Sequence, residues 1–516
     1  MSGSRGGAVV VARVAAIVVF GIALLGSIVA PSAVLAHAIG QSFQLPVPLT
    51  LYLLGAGVAV AASFVVVSLA SRRPAERPGY PRVPVAGEVS RAGSLGLQVL
   101  GMVWWYGAIA AAILIGGITP LPAALFWIGI WVGLPLAAVL LGNPWPSLSP
   151  FRTTFALVER AGRLAGADRL DLGLRYPPEL GRWPAGILLA AALWAELILP
   201  GSEGASTVAL LMAGYTVLTL AGMLSFGAAG WLRNAELFEV ELAWLGRIGP
   251  IGRRMNDRTV CDGCDEACDP DQCVDCPECS VVAEPGEQRT ELRPWIAGLT
   301  EIRRATWSDA AFIVLLLAGV TYDGIHETGL WTTLAQALLP PLFELLGPSL
   351  PFTIVGIVGL GATFGLFLAA FAVAVLLTRR LGTTTPQDFG TAAGVYASTF
   401  LPIAAGYLLA HYLTLVIQGI VWIPDLLANP LLSVAPELPW IPVSFVWYLS
   451  VAAIVGGHIA AIVLAHRIAL RDAGMRPFLA GLPLVVLMIG YTVLSLWIIA
   501  QPIVIDPDVV PAALVP

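Results

Sequence analysis

Long apolar stretches alternate with short polar segments along most of the chain, and their lengths predict membrane-spanning helices. Ten stretches are each about long enough to cross a hydrocarbon core of about 30 Å at about 1.5 Å of helix per residue. They occupy 47–70, 95–118, 121–141, 184–200, 206–229, 308–325, 352–378, 392–420, 443–465 and 477–503. This pattern predicts an all-α fold, a polytopic transmembrane helical bundle of about ten spans.

The first 36 residues form a separate apolar segment that begins with basic residues. Small residues precede His37, as in a signal peptide that is cut before that residue. We therefore predict a signal peptide over 1–36, with a retained first transmembrane helix as the alternative, because the segment is also long enough to span. Cleavage makes His37 the N-terminal residue, and its amine and imidazole then form a bidentate nitrogen chelate suited to copper.

Two polar segments between spans have the periodicity of short amphipathic helices. The first covers 151–165, with Leu157 and Leu164 opposed to its charged residues. The second covers 235–245 and precedes the cysteines. We expect both helices to lie on the cytoplasmic side.

An outer segment at 330–346 contains the adjacent prolines Pro340 and Pro341. Proline lacks an N–H donor and clashes with the preceding turn of a helix. We therefore expect an interfacial or re-entrant hairpin at this position, without a continuous helix.

The composition agrees with a membrane protein, since 58% of the residues are hydrophobic and 12% are charged. The chain has no lysine, and its arginines lie in alternate loops, which marks those loops as cytoplasmic. We predict a multi-pass plasma membrane protein whose mature N-terminus and C-terminus face outward. The predicted regions are 37–230 with five spans, a cytoplasmic segment at 231–307, and 308–516 with five more. The lipid bilayer is one expected partner, and no basic surface for nucleic acid is visible.

All six cysteines lie in one acidic, cytoplasmic loop at 261–279. They are Cys261, Cys264, Cys268, Cys273, Cys276 and Cys279. Two C-x2-C pairs separated by a short linker can supply a tetrahedral sulfur site, so zinc is the expected metal and an iron–sulfur cluster the alternative. Reduced thiols without a metal are the competing interpretation, although thiols clustered so closely are typical of metal binding.

The histidines divide by their depth along the predicted spans. An outer group comprises His37, His326 and His411 with the carboxylates Glu196 and Asp323. We expect these side chains to form an outward-facing metal pocket, because ionisable groups near membrane depth usually mark function or pairing.

An inner pair, His458 and His466, lies on one helix face about 12 Å apart, so the two cannot share a metal ion. His466 is expected at the cytoplasmic boundary in contact with water. His458 is the deeper candidate.

Several motifs in order resemble one known family. They are His37-Ala38-Ile39-Gly40, Asn143-Pro144-Trp145, Trp194-Ala195-Glu196-Leu197, Thr321-Tyr322-Asp323, Pro402-Ile403-Ala404-Ala405-Gly406-Tyr407 with His411-Tyr412, Gly457-His458 and Leu482-Pro483-Leu484. The resemblance is to the polytopic membrane proteins labelled fenitrothion hydrolase, found in actinobacteria and archaea, and it covers nearly the whole mature chain. It implies a membrane-embedded helical fold and hydrolysis of an organophosphate triester. The cysteine loop departs from that family pattern.

Three functions follow from these residues. The first is metal handling, in which the outer group captures a cation such as copper and the cytoplasmic thiols receive it. The second is a membrane-bound hydrolase, in which the outer group holds a metal-activated water that attacks a phosphotriester. The third is a structural or scaffold role. The sequence leaves open whether the protein is an enzyme and whether it needs a partner membrane subunit.

Overall fold

The fold is described from a computed structural model of the protein. The described residues are 43–44, 46–71, 80–85, 91–166, 170–255, 275, 288–300, 302, 305–382, 388–432, 434–438, 440–472, 476–501 and 504–505. The predicted signal peptide at 1–36, His37 and the six cysteines lie outside them.

Helices make up nearly all of the regular structure. In chain order they are α1 (Leu49–Ala70), α2 (Arg91–Ile115), α3 (Leu121–Leu140), α4 (Trp145–Leu148), α5 (Pro150–Leu164), α6 (Trp183–Leu197), α7 (Ala205–Phe226), α8 (Ala228–Asn234), α9 (Leu237–Gly246), α10 (Trp307–His326), α11 (Gly329–Leu346), α12 (Leu350–Leu381), α13 (Phe389–Ala397), α14 (Leu401–Ala428), α15 (Val443–Asp472) and α16 (Pro477–Ala500). Single 3-10 turns occur at Pro178–Leu180, Ala297–Leu299 and Ser398–Phe400.

Among the described residues, nine helical segments are long and apolar enough to cross a membrane. They are α1, α2, α3, α7, α10, α12, the run from α13 to α14, α15 and α16. The protein is therefore a multi-pass integral membrane protein with an all-α architecture. The stretch predicted as a tenth span, 184–200, contains α6, which has only 15 residues. Such a helix is about 22 Å long, shorter than a hydrocarbon core of about 30 Å.

Short strands form two small sheets. Strands β2 (Val83–Pro84), β4 (Gln288–Leu292) and β3 (Ile251–Met255) pair antiparallel in that order, and Ile251 lies opposite Leu292. Strands β1 (Phe43–Gln44) and β5 (Val504–Ile505) pair in parallel. The three-stranded sheet brackets the cysteine segment, because β3 ends shortly before it and β4 begins shortly after it.

The expectation of a broken helix at 330–346 is wrong. Helix α11 is continuous through Pro340 and Pro341 and has no buried residue. Each proline removes one backbone hydrogen bond. The carbonyl groups of Gln336 and Ala337, which lose these donors, lie on an exposed helix, so their loss does not bury an unsatisfied acceptor.

Both predicted amphipathic helices exist, but their faces differ from the expectation. In α5 the buried residues include Phe151 and Phe155, whereas Leu157 is 52% exposed and Leu164 is 91% exposed. In α9 every residue is buried. Helix α9 is therefore an internal element, and its glutamates require partners inside the protein.

The chain divides into two compact units. Unit 1 consists of the described residues within 80–298 and 419–435, and unit 2 of those within 35–79, 299–418 and 436–516. Unit 1 therefore contains α2 to α9 and the three-stranded sheet. Unit 2 contains α1, α10 to α13, most of α14, and α15 and α16.

Candidate functional site

The main polar cluster of unit 2 joins Asp323 of α10 to two neighbouring side chains of α14. His411 Nε2 lies 2.8 Å from Asp323 Oδ2, and the Tyr412 hydroxyl donates to the same oxygen at 2.6 Å. Because the carboxylate can only accept, neutral His411 carries its proton on Nε2, and Nδ1 is then the basic nitrogen. The side chains of His411 and Asp323 are only 9% and 16% exposed.

Helix α10 holds Asp323 in place through a defined start and close packing. Its first turn has a capping box, in which the Thr306 side chain accepts from Asp309 N and the Asp309 carboxylate accepts from Thr306 N. Next to Asp323, a methyl group on Gly324 would lie 2.4 Å from the Tyr407 hydroxyl oxygen. Glycine is therefore required here so that α14 can approach α10.

Tyr407 extends the cluster one turn along α14. Its ring stacks on His411 at 5.9 Å between centroids, and its side chain is fully buried. The Tyr407 hydroxyl has no hydrogen-bond partner among the described residues. A buried hydroxyl without a partner is costly, so it is a place where a bound water or ligand atom would be stabilised.

The other outer candidates have different positions. His326 is exposed at the end of α10, where its ring contacts Tyr322 and Trp331. Glu196 belongs to unit 1, and His37 lies outside the described residues. The structure therefore brings together Asp323 and His411 of the predicted group. In the described part of the chain, no three His, Cys, Asp or Glu side chains lie close enough to hold one metal ion.

The inner histidines are both buried in α15, with exposures of 1% for His458 and 2% for His466. His458 Nδ1 bonds to Ile454 O at 2.8 Å, while its Nε2 has no partner among the described residues. His466 Nε2 donates to Ser71 O at 2.9 Å. The expectation that His466 contacts water is wrong, because it instead satisfies a carbonyl at the end of α1.

Asp275, between Cys273 and Cys276, is the one described residue within 256–287. Its Oδ1 accepts from Arg253 N at 2.8 Å, and its Oδ2 accepts from Arg293 Nη2 at 2.7 Å. Its φ of 49° lies in the left-handed region, which aspartate tolerates better than most residues. Asp275 therefore ties the cysteine segment to the three-stranded sheet.

Arg293 is the centre of this attachment and is itself 4% exposed. Besides Asp275, it donates from Nε to Gly249 O and from Nη2 to Gly246 O, both at 3.1 Å. One buried guanidinium thus bridges the cysteine segment and the chain that follows α9.

A second buried polar cluster lies in unit 1 around Glu236, which caps α9. The Glu236 carboxylate accepts from the Tyr215 hydroxyl, from Trp145 Nε1 at 3.0 Å and from the backbone N–H groups of Phe238 and Glu239. Burial raises the pKa of Glu236 to about 7 although these donors act in the opposite direction.

The two other glutamates of α9 differ in how they are satisfied. Glu239 forms a bidentate ion pair with Arg152, at 2.6 and 3.0 Å. Glu241 has one carboxyl oxygen without a partner among the described residues. Burial, with a smaller effect of Glu236, raises the pKa of Glu241 to about 8, so its neutral form predominates at pH 7.

The α8–α9 segment forms a hairpin in which α8 packs against α7 and α9 packs against α3. Trp231 of α8 stacks on Phe226 near the end of α7, and Glu236 at the tip bonds to Tyr215, the eleventh of 22 residues in α7. The hairpin tip therefore lies beside the middle of a membrane-spanning helix. Three glutamates within an apolar stretch are a sequence signal for a buried polar cluster. The sequence does not identify their partners, because these lie far away along the chain.

Comparison with protein-family models, with curated proteins and with solved structures finds no match to this chain.

Proposed function

We propose that this integral membrane protein handles a transition-metal cation, with His411 as a ligand and Asp323 as the group that orients it. The observation that supports this is the Asp323–His411 hydrogen bond. Histidines that bind metals commonly donate their second ring N–H to a carboxylate, which fixes the tautomer and raises the basicity of the ligating nitrogen. In this protein the ligating nitrogen would be Nδ1.

The ligand set needs residues from outside the described part of the chain, because no group of three suitable side chains occurs within it. His37 is the sequence candidate, since a free N-terminal histidine supplies two nitrogens at once. Imidazole and amine nitrogens favour copper over harder cations. Asp323, already bonded to His411 and Tyr412, acts through His411.

The proposal assigns the cysteine segment to a second metal, with zinc as the expected ion. Its support is the spacing of the two C-x2-C pairs and the attachment of Asp275 beside one of them. The Asp275 carboxylate is occupied by Arg253 N and Arg293, so this residue serves as a tether while the thiolates remain the ligands.

Elemental analysis of the purified protein tests both sites. We expect His411→Ala to lose copper but keep zinc, and deletion of 261–279 to lose zinc but keep copper. Asp323→Asn should weaken copper binding by about 10- to 100-fold, as loss of an orienting carboxylate typically does. Equal copper in the wild type and in His411→Ala would contradict the outer site.

The same hydrogen bond supports a second candidate, a hydrolase. A carboxylate that orients a histidine also prepares it to take a proton from water. Incubation with an aryl dialkyl phosphotriester distinguishes the two functions. Hydrolysis that is lost in both His411→Ala and Asp323→Asn favours the enzyme, whereas metal binding without turnover favours metal handling.

A further inference from the structure

Unit 1 contains a cavity of about 100 Å³ between α2, α3, α6, α7 and α9. Its walls are almost entirely apolar and strongly aromatic. Among the lining residues are Trp105, Trp127, Trp131, Trp194 and Tyr215. The Asp323–His411 cluster, by contrast, belongs to unit 2.

The polar atoms of three lining residues are already engaged. Trp105 Nε1 donates to Thr216 Oγ1 and Trp127 Nε1 donates to Ser202 O, both at 2.9 Å. The Tyr215 hydroxyl donates to Glu236. These three side chains therefore line the cavity with apolar ring surface. Such a surface favours a hydrocarbon over a ligand that needs hydrogen bonds.

The cavity lies beside the middle of the membrane-spanning helices. Trp127 and Trp131 come 6 and 10 residues after the start of α3, and Leu211 and Leu218 come 6 and 13 residues after the start of α7. At about 1.5 Å per residue, the cavity lies about 9 to 20 Å along helices that are about 30 Å long. At that depth the surrounding bilayer consists of the ends of lipid chains.

The cavity is not fully enclosed, because part of its wall is exposed. Leu188, Leu211 and Gly214 in the wall are partly exposed. Next to them, Leu210 is 53% exposed and Val217 is 69% exposed on α7. Exposed apolar side chains on a membrane-spanning helix contact lipid, so lipid chains reach the opening.

The wall formed by α3 has an unusual backbone. Residues Ala124–Gly133, which include Trp127 and Trp131, are π-helical. Such segments are rare and occur frequently at functional sites. Helix α6, with 15 residues, forms another wall and contributes Leu188, Ala191 and Trp194.

We propose that this cavity binds the terminal part of a lipid hydrocarbon chain. Its volume is of the same order as the roughly 150 Å³ apolar cavity that takes up benzene, so a few methylene groups fit and a whole lipid does not. The chain end is recognised by its lack of polar atoms and by its depth in the bilayer.

Photo-crosslinking with two phosphatidylcholines tests the proposal. One carries a diazirine at the end of an acyl chain, and the other carries it next to the ester. With the full-length protein in lipid nanodiscs, we expect the chain-end probe to label the peptides around Trp127, Trp131 and Trp194 several-fold more than the ester-proximal probe. Labelling of the exposed α12 residue Leu366 reports ordinary lipid contact.

Gly214→Leu should block the site. Gly214 lines the cavity, and a Cβ added there meets no atom within 4 Å, so the leucine side chain starts in open space. Gly186→Leu in α6 is the matched control, because it also meets no atom within 4 Å and is not a lining residue. We expect labelling at the three tryptophan peptides to fall several-fold in Gly214→Leu and to be unchanged in Gly186→Leu.

Two results would overturn the proposal. One is equal labelling of these peptides in the wild type and in a folded Gly214→Leu. The other is equal labelling by the two probes, which would indicate ordinary lipid contact. If Gly214→Leu fails to fold, Ala191→Leu on the α6 wall replaces it and is judged by the same outcomes.

Discussion

Replacing Arg293 with methionine should destabilise unit 1 strongly, because one buried guanidinium serves three acceptors. The change removes the ion pair with Asp275 and the donors to Gly246 O and Gly249 O. Removing one partner of a buried ion pair typically costs about 3 to 5 kcal/mol, since the remaining charge is left without compensation. The two lost backbone hydrogen bonds add about 0.5 to 1.5 kcal/mol each, not strictly additively.

Intrinsic fluorescence reports the unfolding of detergent-solubilised protein, which contains 16 tryptophans. The loss of the ion pair alone, about 3 to 5 kcal/mol, corresponds to a fall in Tm of roughly 6 to 20 °C for a unit of this size. The matched control is Arg163→Met, because the Arg163 side chain is 68% exposed and, among the described residues, its ion pair is with its helix neighbour Glu159. An exposed pair contributes at most about 1 kcal/mol, so this variant should unfold close to the wild type.

A double-mutant cycle separates the ion pair from general loss of packing. In the Arg293→Met background, Asp275→Asn removes the uncompensated carboxylate and should recover part of the lost stability. Equal Tm values for Arg293→Met and Arg163→Met would refute the reasoning. A strictly additive cycle would show that Arg293 and Asp275 do not interact.

Three further predictions rest on other residues. Glu241→Gln should stabilise the protein at pH 8.5 more than at pH 5.5. The pKa of Glu241 in the folded protein, about 8, exceeds its ordinary value of 4.5, so the wild type loses stability as the pH rises from 4.5 to 8. Parallel curves of Tm against pH for the two proteins would contradict this. Gly457→Ala should lower the free energy of unfolding by about 1 to 3 kcal/mol, because the new methyl group would lie 2.3 Å from Pro402 O. Gly456→Ala meets no atom within 4 Å and should be neutral or stabilising, and equal effects of the two changes would contradict this. The arginine pattern requires ten crossings, with α6 as the short tenth, so a reporter fused after Arg380 should be cytoplasmic and one fused after Pro516 external. Labelling of Cys261 by an impermeant thiol reagent in intact cells would reverse this topology.

Hydropathy located the nine long spans of the described residues well because apolar length is a direct requirement of the bilayer. The tenth predicted stretch, 184–200, extends past the end of α6 at Leu197 because Ile198, Leu199 and Pro200 continue the apolar run. Hydropathy measures composition, whereas the end of the helix depends on backbone conformation.

The candidate site was predictable in its residue types but not in its contacts. Depth placed Asp323 and His411 at a similar level, yet their hydrogen bond joins residues 88 positions apart and depends on Gly324 allowing close approach. The Glu236 cluster was missed because Tyr215 and Trp145 lie on other elements. A periodicity of 3.6 in a polar context predicts a surface helix, and only tertiary packing shows that α9 is buried.

The α8–α9 hairpin also constrains how the chain enters the membrane during synthesis. Each of its three glutamates, if charged at the centre of an isolated segment, would raise the free energy of membrane insertion by about 2.5 to 3.5 kcal/mol. The translocon should therefore not release the hairpin into lipid without its neighbouring helices. Trp145, Arg152 and Tyr215, which bond to Glu236 and Glu239, all precede the hairpin in the sequence. The helices that contact the hairpin can therefore be in place before the hairpin is synthesised. The order of translation thus provides the hydrogen-bond and ion-pair partners that reduce the free-energy cost of burying these carboxyl groups.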